Sequence, residues 1–333
     1  MLATVHRSVL VAAGCALLLV ALAACGSSSG KPNGPGRPAV PTSGGAIPTS
    51  GGAAPAASPA RSAGQRPVRP AELGGAYVAL GDSFTAAPLE HQQGGGSSAG
   101  CLRSQQDYPA QVAAALHPSS FVNVSCFGAS TTDMSQAQRT ATGEVPPQLN
   151  AVSAADTLVT LQVGGDDIGV GRIATTCAAL SLTSPFGSPC RQHYTAGGTD
   201  QLARAVAQTG PKVASVLGAI RVRAPHARIL VVGYPDILPV SGNGCWPEVA
   251  IARGDLPYLR GIETLLDAML AAEATAHGAT FVNTYAPSVG HDACQHAGVK
   301  WVEGLIPTSL AVPFHPNALG EQAMAQEILR VLP

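Results

Sequence analysis

The sequence has little charge and few aromatic residues, and it has no acidic residue before Glu72. Charged residues occupy 12% and aromatic residues 4% of the 333 positions, whereas 46% are hydrophobic. This composition excludes a wholly disordered chain. All 20 acidic residues but only 13 of the 19 Lys and Arg residues lie in 71–333, which gives this part a net charge of −7. Phosphate binding needs clustered cations, so the acidic body argues against nucleic acid as a partner.

The first 24 residues have the composition of an export signal. Arg7 precedes an uncharged apolar run over 9–24, which is short for a transmembrane helix. The run ends in LAAC at Cys25 and is followed by GSSS, an order that resembles a bacterial lipobox. The resemblance implies that 1–24 is a lipoprotein signal peptide and that Cys25 carries the lipid. An ordinary secretory signal with an incidental cysteine is the alternative.

The segment after Cys25 has no hydrophobic periodicity. Gly, Pro, Ala and Ser account for 33 of the 45 residues in 26–70. Such a segment cannot form a core. The sequence therefore predicts a disordered tether over 25–74 and a folded domain over 75–333.

Within 75–333, short apolar runs alternate with stretches of helical periodicity. The predicted strands are 76–80, 121–125, 157–163, 228–232 and 280–283. The predicted helices are 106–116, 199–222, 257–277 and 317–332, the second of them interrupted at Gly210-Pro211. Strands that alternate with helices predict a parallel sheet covered on both faces. Sites in such folds lie at the carboxyl ends of the strands.

Six cysteines lie in 75–333, and no two of them have the spacing of a C-x-x-C metal hook. An even number in an exported chain indicates three disulfides, for which fifteen pairings are possible. Pairs of chain neighbours close the smallest loops, so we expect Cys101–Cys126, Cys177–Cys190 and Cys245–Cys294. A metal site is the alternative. We expect no metal and no organic cofactor.

Four short blocks follow strands or precede the last helix. Ser83, in Gly81-Asp82-Ser83-Phe84, can expose its hydroxyl at a strand-to-helix turn. In the second block, Phe127-Gly128-Ala129-Ser130, Gly128 can bring its main-chain N–H close to an oxyanion. The third block, GGDD, contains Asp166. His315 precedes Pro316, which suits the first helical position and fixes the histidine at the helix mouth. Each block alone also fits an ordinary turn or a helix cap.

In this order, the four blocks resemble those of the SGNH/GDSL hydrolase family. The sequences CLRS at Cys101 and GHDAC at Cys294 resemble its secreted, three-disulfide esterase and lipase branch. The resemblance implies a flavodoxin-like, three-layer α/β/α fold with a central parallel sheet of about five strands. It also implies a site with Ser83 as nucleophile and His315 as base. The oxyanion hole is then formed by the N–H groups of Ser83 and Gly128, with help from Asp166.

The third block departs from the family pattern, because the family usually has GGND where this chain has GGDD. A neutral amide donates to the developing oxyanion, whereas an ionised carboxylate repels it. Losing one such donor typically costs ~10²–10³ in rate. Asp166 can still donate if burial keeps it protonated. We therefore expect a reduced or pH-shifted activity.

The second departure is the missing acid. The family triad has Asp three residues before the histidine, where this chain has Val312. The chain resembles members with a Ser-His dyad, so we expect the main-chain carbonyl of Val312 to orient His315. We expect His291 and Asp292 to be structural, with a role as substitute base and acid as the alternative.

Together, these features predict a serine esterase or lipase on the outer face of the cell membrane. Its expected partners are a small-molecule or lipid ester and, through the lipid anchor, the membrane. The location alternative is release as a secreted protein. One functional alternative is a catalytically weak SGNH-fold lipoprotein that binds glycan or lipid. Another is a carbohydrate deacetylase or an acyltransferase on the same scaffold.

Overall fold

A five-stranded parallel sheet organises the part of the chain that the computed structural model describes, residues 74–90 and 96–333. Its strands are β1 (Ala76–Gly81), β2 (Ser120–Asn123), β3 (Asp156–Gln162), β4 (Arg228–Val232) and β5 (Thr280–Val282). Their order is β2-β1-β3-β4-β5, and every neighbouring pair is parallel. The predicted signal peptide, the predicted lipidation site Cys25 and the predicted tether through residue 73 lie outside the described residues.

Helices connect the strands and flank the sheet. They are α1 (Ser83–Ala86), α2 (Tyr108–Leu116), α3 (Gly165–Ile168), α4 (Val170–Ser181), α5 (Pro189–Thr195), α6 (Gln201–Arg223), α7 (Leu256–Ala276), α8 (Tyr285–Ser288) and α9 (Ala318–Val331). Short 3-10 helices cover Gly96–Cys101, Thr131–Met134, Gln148–Ala151 and Arg253–Asp255. A small antiparallel hairpin pairs Gln138–Thr140 with Gly143–Val145. No helix within these described ranges combines the length and the apolar character that a membrane crossing requires.

The sheet separates two apolar layers because successive side chains of a strand point to opposite faces. In β1, Val78 and Leu80 belong to the larger core, which includes residues of α6 and α7. Tyr77 and Ala79 belong to the second core, which includes residues of α2 and α9. The predicted three-layer α/β/α fold class is therefore confirmed.

The predicted strands and helices are present, with ends that differ by at most two residues. The predicted interruption of the second long helix, α6, is wrong. Helix α6 continues through Pro211. Its buried face, which includes Gly210 and Val213, packs against α7, where a Cβ on Gly210 would lie 3.1 Å from Oε1 of Glu273. This packing outweighs the single main-chain hydrogen bond that a proline removes.

Three disulfides join the described cysteines as chain neighbours: Cys101–Cys126, Cys177–Cys190 and Cys245–Cys294. The first joins the segment after α1 to the segment after β2, and the second joins α4 to α5. The third joins the segment after β4 to the segment after α8. Each disulfide therefore restrains segments that connect the strands and helices.

Candidate active site

Ser83 is the first residue of α1 and lies directly after β1. The turn needs glycine at position 81, because a Cβ there would lie 2.1 Å from Oγ1 of Thr85 and 2.9 Å from the carbonyl of Gln162. Both main-chain groups of Gly81 bind the side-chain amide of Gln148, at 2.8 and 2.9 Å. These contacts fix the turn that carries Ser83 at the carboxyl end of β1.

The carboxylate of Asp82 caps α1. Its Oδ1 accepts a hydrogen bond from the N–H of Phe84 at 2.9 Å. Its Oδ2 accepts a hydrogen bond from the hydroxyl of Tyr234. Burial raises the pKa of Asp82 well above its ordinary value, and the charge of Asp166 adds to this shift. Asp82 thus holds the N-terminus of α1, and with it Ser83, from a buried position.

His315 lies beside Ser83 although 232 residues separate the two in sequence. Its Nε2 is 2.7 Å from Oγ of Ser83, and its Nδ1 is 2.9 Å from the main-chain carbonyl of Pro313. A carbonyl can only accept, so Nδ1 carries the proton and Nε2 is free to accept from the serine hydroxyl. The pair has the arrangement of a nucleophile and its general base.

The prediction that the Val312 carbonyl orients His315 is wrong. The Val312 carbonyl accepts the main-chain N–H of His315 itself, at 3.1 Å. This bond closes a tight turn in which Phe314 has a φ of 63°. Because of this turn, the next carbonyl, that of Pro313, accepts the hydrogen bond from Nδ1.

Two aromatic rings cover the imidazole of His315. The ring centroid of Phe84 is 4.9 Å away, and that of Phe127 is 5.9 Å away. Burial lowers the pKa of His315 to about 4, and the hydrogen bond to Pro313 opposes this shift. His315 is therefore neutral, and able to accept a proton, above that pH.

Gly128 lies in the turn after β2 with a φ of 75°, which favours glycine. Gln138 donates to the carbonyl of the preceding residue, Phe127, at 2.8 Å, and Ala129 donates to Cys126 at 3.1 Å. Within residues 74–90 and 96–333, neither the N–H of Gly128 nor that of Ser83 has a hydrogen-bond partner. Both donors are therefore available to a bound ligand.

The third block forms the start of α3, where Gly164 has a φ of 126°. Asp167 joins this block to Thr131, the residue after the second block, because its carboxylate accepts from the N–H of Thr131 at 2.8 Å and from its hydroxyl at 2.6 Å. Lys212 contacts the same carboxylate at 3.3 Å. The two blocks are therefore held together through Asp167.

Asp166 is half-buried, and its side chain makes no hydrogen bond to another residue in the described part of the chain. Burial raises its pKa to about 6, and the charges of Asp167 and Asp133 contribute to the shift. Below that pH the carboxyl group is protonated and can donate a hydrogen bond.

His291 and Asp292 are engaged away from the Ser83–His315 pair. Nδ1 of His291 is 2.6 Å from the carbonyl of Val299, and the ring stacks on Trp301 with centroids 4.0 Å apart. Asp292 accepts from the N–H of Cys294 and from the side chain of Gln295, both at 2.9 Å. These contacts serve the local loop structure.

An apolar cavity of about 110 Å³ lies next to the Ser83–His315 pair. Its wall includes Phe84 and Phe314, which adjoin the two residues in sequence. Farther residues of the wall come from α4 and α7 and include Ile173, Leu259, Ile262 and Leu266. The only carboxylate among the lining residues described is Glu263, whose pKa burial raises well above its ordinary value. The cavity is thus suited to an uncharged, apolar group.

Sequence reasoning missed three contributors to this site: the Pro313 carbonyl, Tyr234 and the cavity. Tyr234 follows β4 directly after Gly233, so its place at the carboxyl end of a strand was a usable signal. Nothing in the sequence distinguishes the Pro313 carbonyl from its neighbours. No three His, Cys, Asp or Glu side chains in 74–90 and 96–333 are grouped to hold a metal ion.

Comparison with known proteins identifies relatives that span most of the chain. The model of the GDSL-like Lipase/Acylhydrolase family matches residues 79–323, which contain all four blocks. Lipase 2 of Streptomyces coelicolor is 37% identical over 263 residues, which cover 77% of this chain and 85% of that protein. Lipase 1 of the same organism is 30% identical and covers 76% of this chain and 84% of its own length.

Two solved structures resemble the fold at comparable coverage. Phospholipase A1 from Streptomyces albidoflavus NA297 superposes with a TM-score of 0.64 at 28% identity, over 78% of this chain and 99% of that chain. The extracellular lipase from Streptomyces rimosus superposes with a TM-score of 0.61 at 27% identity, again over 78% and 99% of the two chains.

Proposed function

Because the chain belongs to the GDSL-like lipase/acylhydrolase family, we propose that it cleaves carboxylic esters with a Ser83–His315 dyad while anchored outside the cell. Family membership makes the chain a carboxylic ester hydrolase of the esterase and lipase type. The identity of the catalytic groups and the anchoring are our proposal. The 2.7 Å contact between Nε2 of His315 and Oγ of Ser83 is the observation that carries it.

In the proposed reaction, the Ser83 hydroxyl attacks the ester carbonyl while Nε2 of His315 accepts its proton. The resulting tetrahedral intermediate collapses to an acyl-enzyme, and His315 returns the proton to the leaving alcohol. Water then attacks the acyl-enzyme with His315 again as base, which releases the acid and restores Ser83. Neutrality of His315 above about pH 4 supports this role.

The proposed dyad uses the Pro313 carbonyl in place of a carboxylate. The carbonyl accepts from Nδ1 at 2.9 Å, so it selects the tautomer in which Nε2 can act as base. It carries only a partial negative charge, so it stabilises the imidazolium less than an aspartate does. We propose that the carbonyl supplies orientation and the tautomer, which is the part of the triad that geometry alone can provide.

The proposed oxyanion hole consists of the N–H groups of Ser83 and Gly128 together with the carboxyl of Asp166. The two N–H donors have no other partner in the described residues, which supports their assignment. Asp166 acts as a donor only when it is protonated, so the third contact depends on a pH below about 6.

The apolar cavity beside Ser83 supports an acyl chain as the group that it binds. Its lining is apolar apart from the hydroxyl of Tyr234 and the carboxyl of Glu263, and burial raises the pKa of Glu263 well above its ordinary value. Burial of each methylene of an acyl chain contributes about 0.8 kcal/mol. We therefore propose esters with an apolar acyl chain as the substrates, with the chain length left to experiment.

The location is proposed from the N-terminus and the cysteines. The lipobox-like LAAC at Cys25 supports a diacylated, N-acylated anchor, and more than one acyl chain gives stable membrane attachment. Three disulfides in the described residues support an oxidising compartment. Release as a secreted enzyme is the alternative.

The proposal is tested by incubating the full chain with p-nitrophenyl esters of increasing acyl length, next to Ser83→Ala. We expect Ser83-dependent release with a preference for apolar chains. Activity is expected in the membrane fraction, and Cys25→Ala should transfer it to the medium. Equal release by wild type and Ser83→Ala at every chain length would replace the esterase proposal with a binding role. Activity in the medium without the Cys25 change would refute the anchor alone.

A further inference from the structure

The hydroxyl of Tyr234 joins the first and third blocks of the site. It donates a hydrogen bond to Oδ2 of Asp82, the residue before the nucleophile. It accepts a hydrogen bond from the N–H of Gly165, the residue before Asp166, at 2.9 Å. One phenol oxygen therefore bridges the carboxyl ends of β1 and β3 from its own position after β4.

The bridge is buried and fixed at each end. Tyr234 is 3% exposed and Asp82 is 1% exposed. The second oxygen of the Asp82 carboxylate already binds the N–H of Phe84 in α1. Any displacement of this carboxylate is therefore transmitted to the N-terminus of α1, where Ser83 lies.

The contact with Gly165 is tight enough that a side chain there would have to displace the phenol. A Cβ on Gly165 would lie 3.1 Å from Oη and 3.3 Å from Cζ of Tyr234. The phenol thus packs against the main chain of the third block. Its oxygen lies between that main chain and Asp82, so it sets how closely the two approach each other.

The ring of Tyr234 is itself held in place. Its main-chain N–H donates to Oδ1 of Asp267 in α7 at 2.9 Å. Its ring meets Phe84 edge-on, with centroids 5.0 Å apart and an angle of 85°. The hydroxyl is therefore a fixed point, as the spacing of two catalytic elements requires.

We propose that Tyr234 is a positioning residue of the esterase, whose hydroxyl sets the distance between the nucleophile Ser83 and the oxyanion-hole residue Asp166. The inference rests on the proposed function. Tyr234 acts through Asp82 and Gly165 and takes no part in bond making. Phenylalanine in its place keeps the ring but leaves two buried polar groups without this partner.

The test compares Tyr234→Phe with Tyr77→Phe in the full chain. Tyr77 is a matched control because its buried hydroxyl also makes a hydrogen bond, at 3.0 Å to Oγ1 of Thr160, but in the core layer that includes α2 and α9. Misplacement of catalytic groups by about 1 Å can cost ~10² in rate. We expect Tyr234→Phe to lower kcat at least tenfold with KM changed less than threefold, and Tyr77→Phe to leave both within twofold.

A second readout reports on the oxyanion hole directly. An alkyl boronic acid forms a tetrahedral adduct with the nucleophile, so its Ki should rise in Tyr234→Phe by the same factor as kcat falls. A purely structural role predicts similar melting shifts for the two tyrosine variants, with unchanged kcat and Ki. That result would overturn the inference.

The Asp82→Ala variant tests the same bridge if Tyr234→Phe does not fold, because an asparagine amide in its place would still donate to the phenol oxygen and keep the bridge. It should show the same loss of kcat with KM retained, and normal kcat would overturn the inference. Where both single variants fold, kcat of the double variant should be no more than threefold below that of the less active single variant, because both changes break the same bridge. Additive losses contradict it. Failure of the proposed function has a different signature, because wild type and Ser83→Ala then release product equally.

Discussion

His315 and Asp166 belong to the same candidate site, and burial changes their pKa values in opposite directions. It lowers the pKa of His315 to about 4 and raises that of Asp166 to about 6. The cause is the same, because removal from water disfavours whichever form is charged. Between these values both groups are neutral, as a base and a hydrogen-bond donor need to be.

The two groups differ in what holds them. Both nitrogens of His315 have partners, Ser83 and Pro313, and two phenyl rings cover its faces. The carboxyl of Asp166 has no hydrogen-bond partner in the described part of the chain. In the proposed mechanism the base is therefore in place before substrate binds, whereas the proposed third oxyanion contact depends on the protonation state of one carboxyl group.

Substitution of Asp166 gives the largest expected change to this comparison. Wild-type kcat/KM should fall as pH rises through about 6, because ionised Asp166 repels the oxyanion. Asp166→Asn donates at every pH, so it should equal wild type at pH 5 and exceed it by ~10² at pH 8. The measurement is the pH profile of p-nitrophenyl ester hydrolysis by both proteins.

Asp133→Asn is the matched control for that profile. It removes a neighbouring charge that raises the pKa of Asp166, so the alkaline limb of the wild-type profile should move to lower pH. One oxygen of Asp133 accepts hydrogen bonds from the N–H and the hydroxyl of Ser130, and the amide oxygen of asparagine can still accept both. Parallel profiles for wild type and Asp166→Asn would contradict a donor role for Asp166.

The acid limb of the pH profile tests the pKa of His315, and its expected change is smaller. An unshifted histidine, with a pKa of about 6.5, would lose activity about thirtyfold at pH 5. With the pKa of His315 at about 4, activity at pH 5 should stay near its maximum.

Phe127→Ala sharpens this test because it uncovers one face of the imidazole ring. Renewed solvent contact raises the pKa of His315, so kcat/KM at pH 5 should fall about twofold to fivefold relative to pH 6. The acid limb is measured in the Asp166→Asn background, where the alkaline limb is absent. An acid limb at the same pH in both proteins would show that Phe127 does not shield His315 from solvent.

The smallest effect is expected at Val312. Its carbonyl closes the turn at His315, and its side chain is not used by the dyad. Val312→Ala should therefore leave kcat and KM within threefold of wild type, with an unchanged melting temperature of the fold as the control. A collapse of kcat with the fold intact would mean that the side chain at 312 orients His315.

The fold class, the strands and the four blocks could be predicted from the sequence alone. These signals are local, because apolar runs, glycine turns and helix caps act on neighbouring residues. The sequence also indicated the exported character, through the apolar N-terminal run and the six cysteines. Pairing of chain neighbours closes the smallest loops, and the described disulfides have that pairing.

Other features depend on contacts between residues that are distant in sequence, so no local signal predicts them. A main-chain carbonyl has the same chemistry at Val312 and Pro313, so only the turn geometry selects the one that meets His315. The bridge from Tyr234 to Asp82 joins residues 152 positions apart. Helix α6 passes through Pro211 because its packing outweighs one missing hydrogen bond. The charge on Asp166 is likewise set by burial, which exists only after the chain has folded.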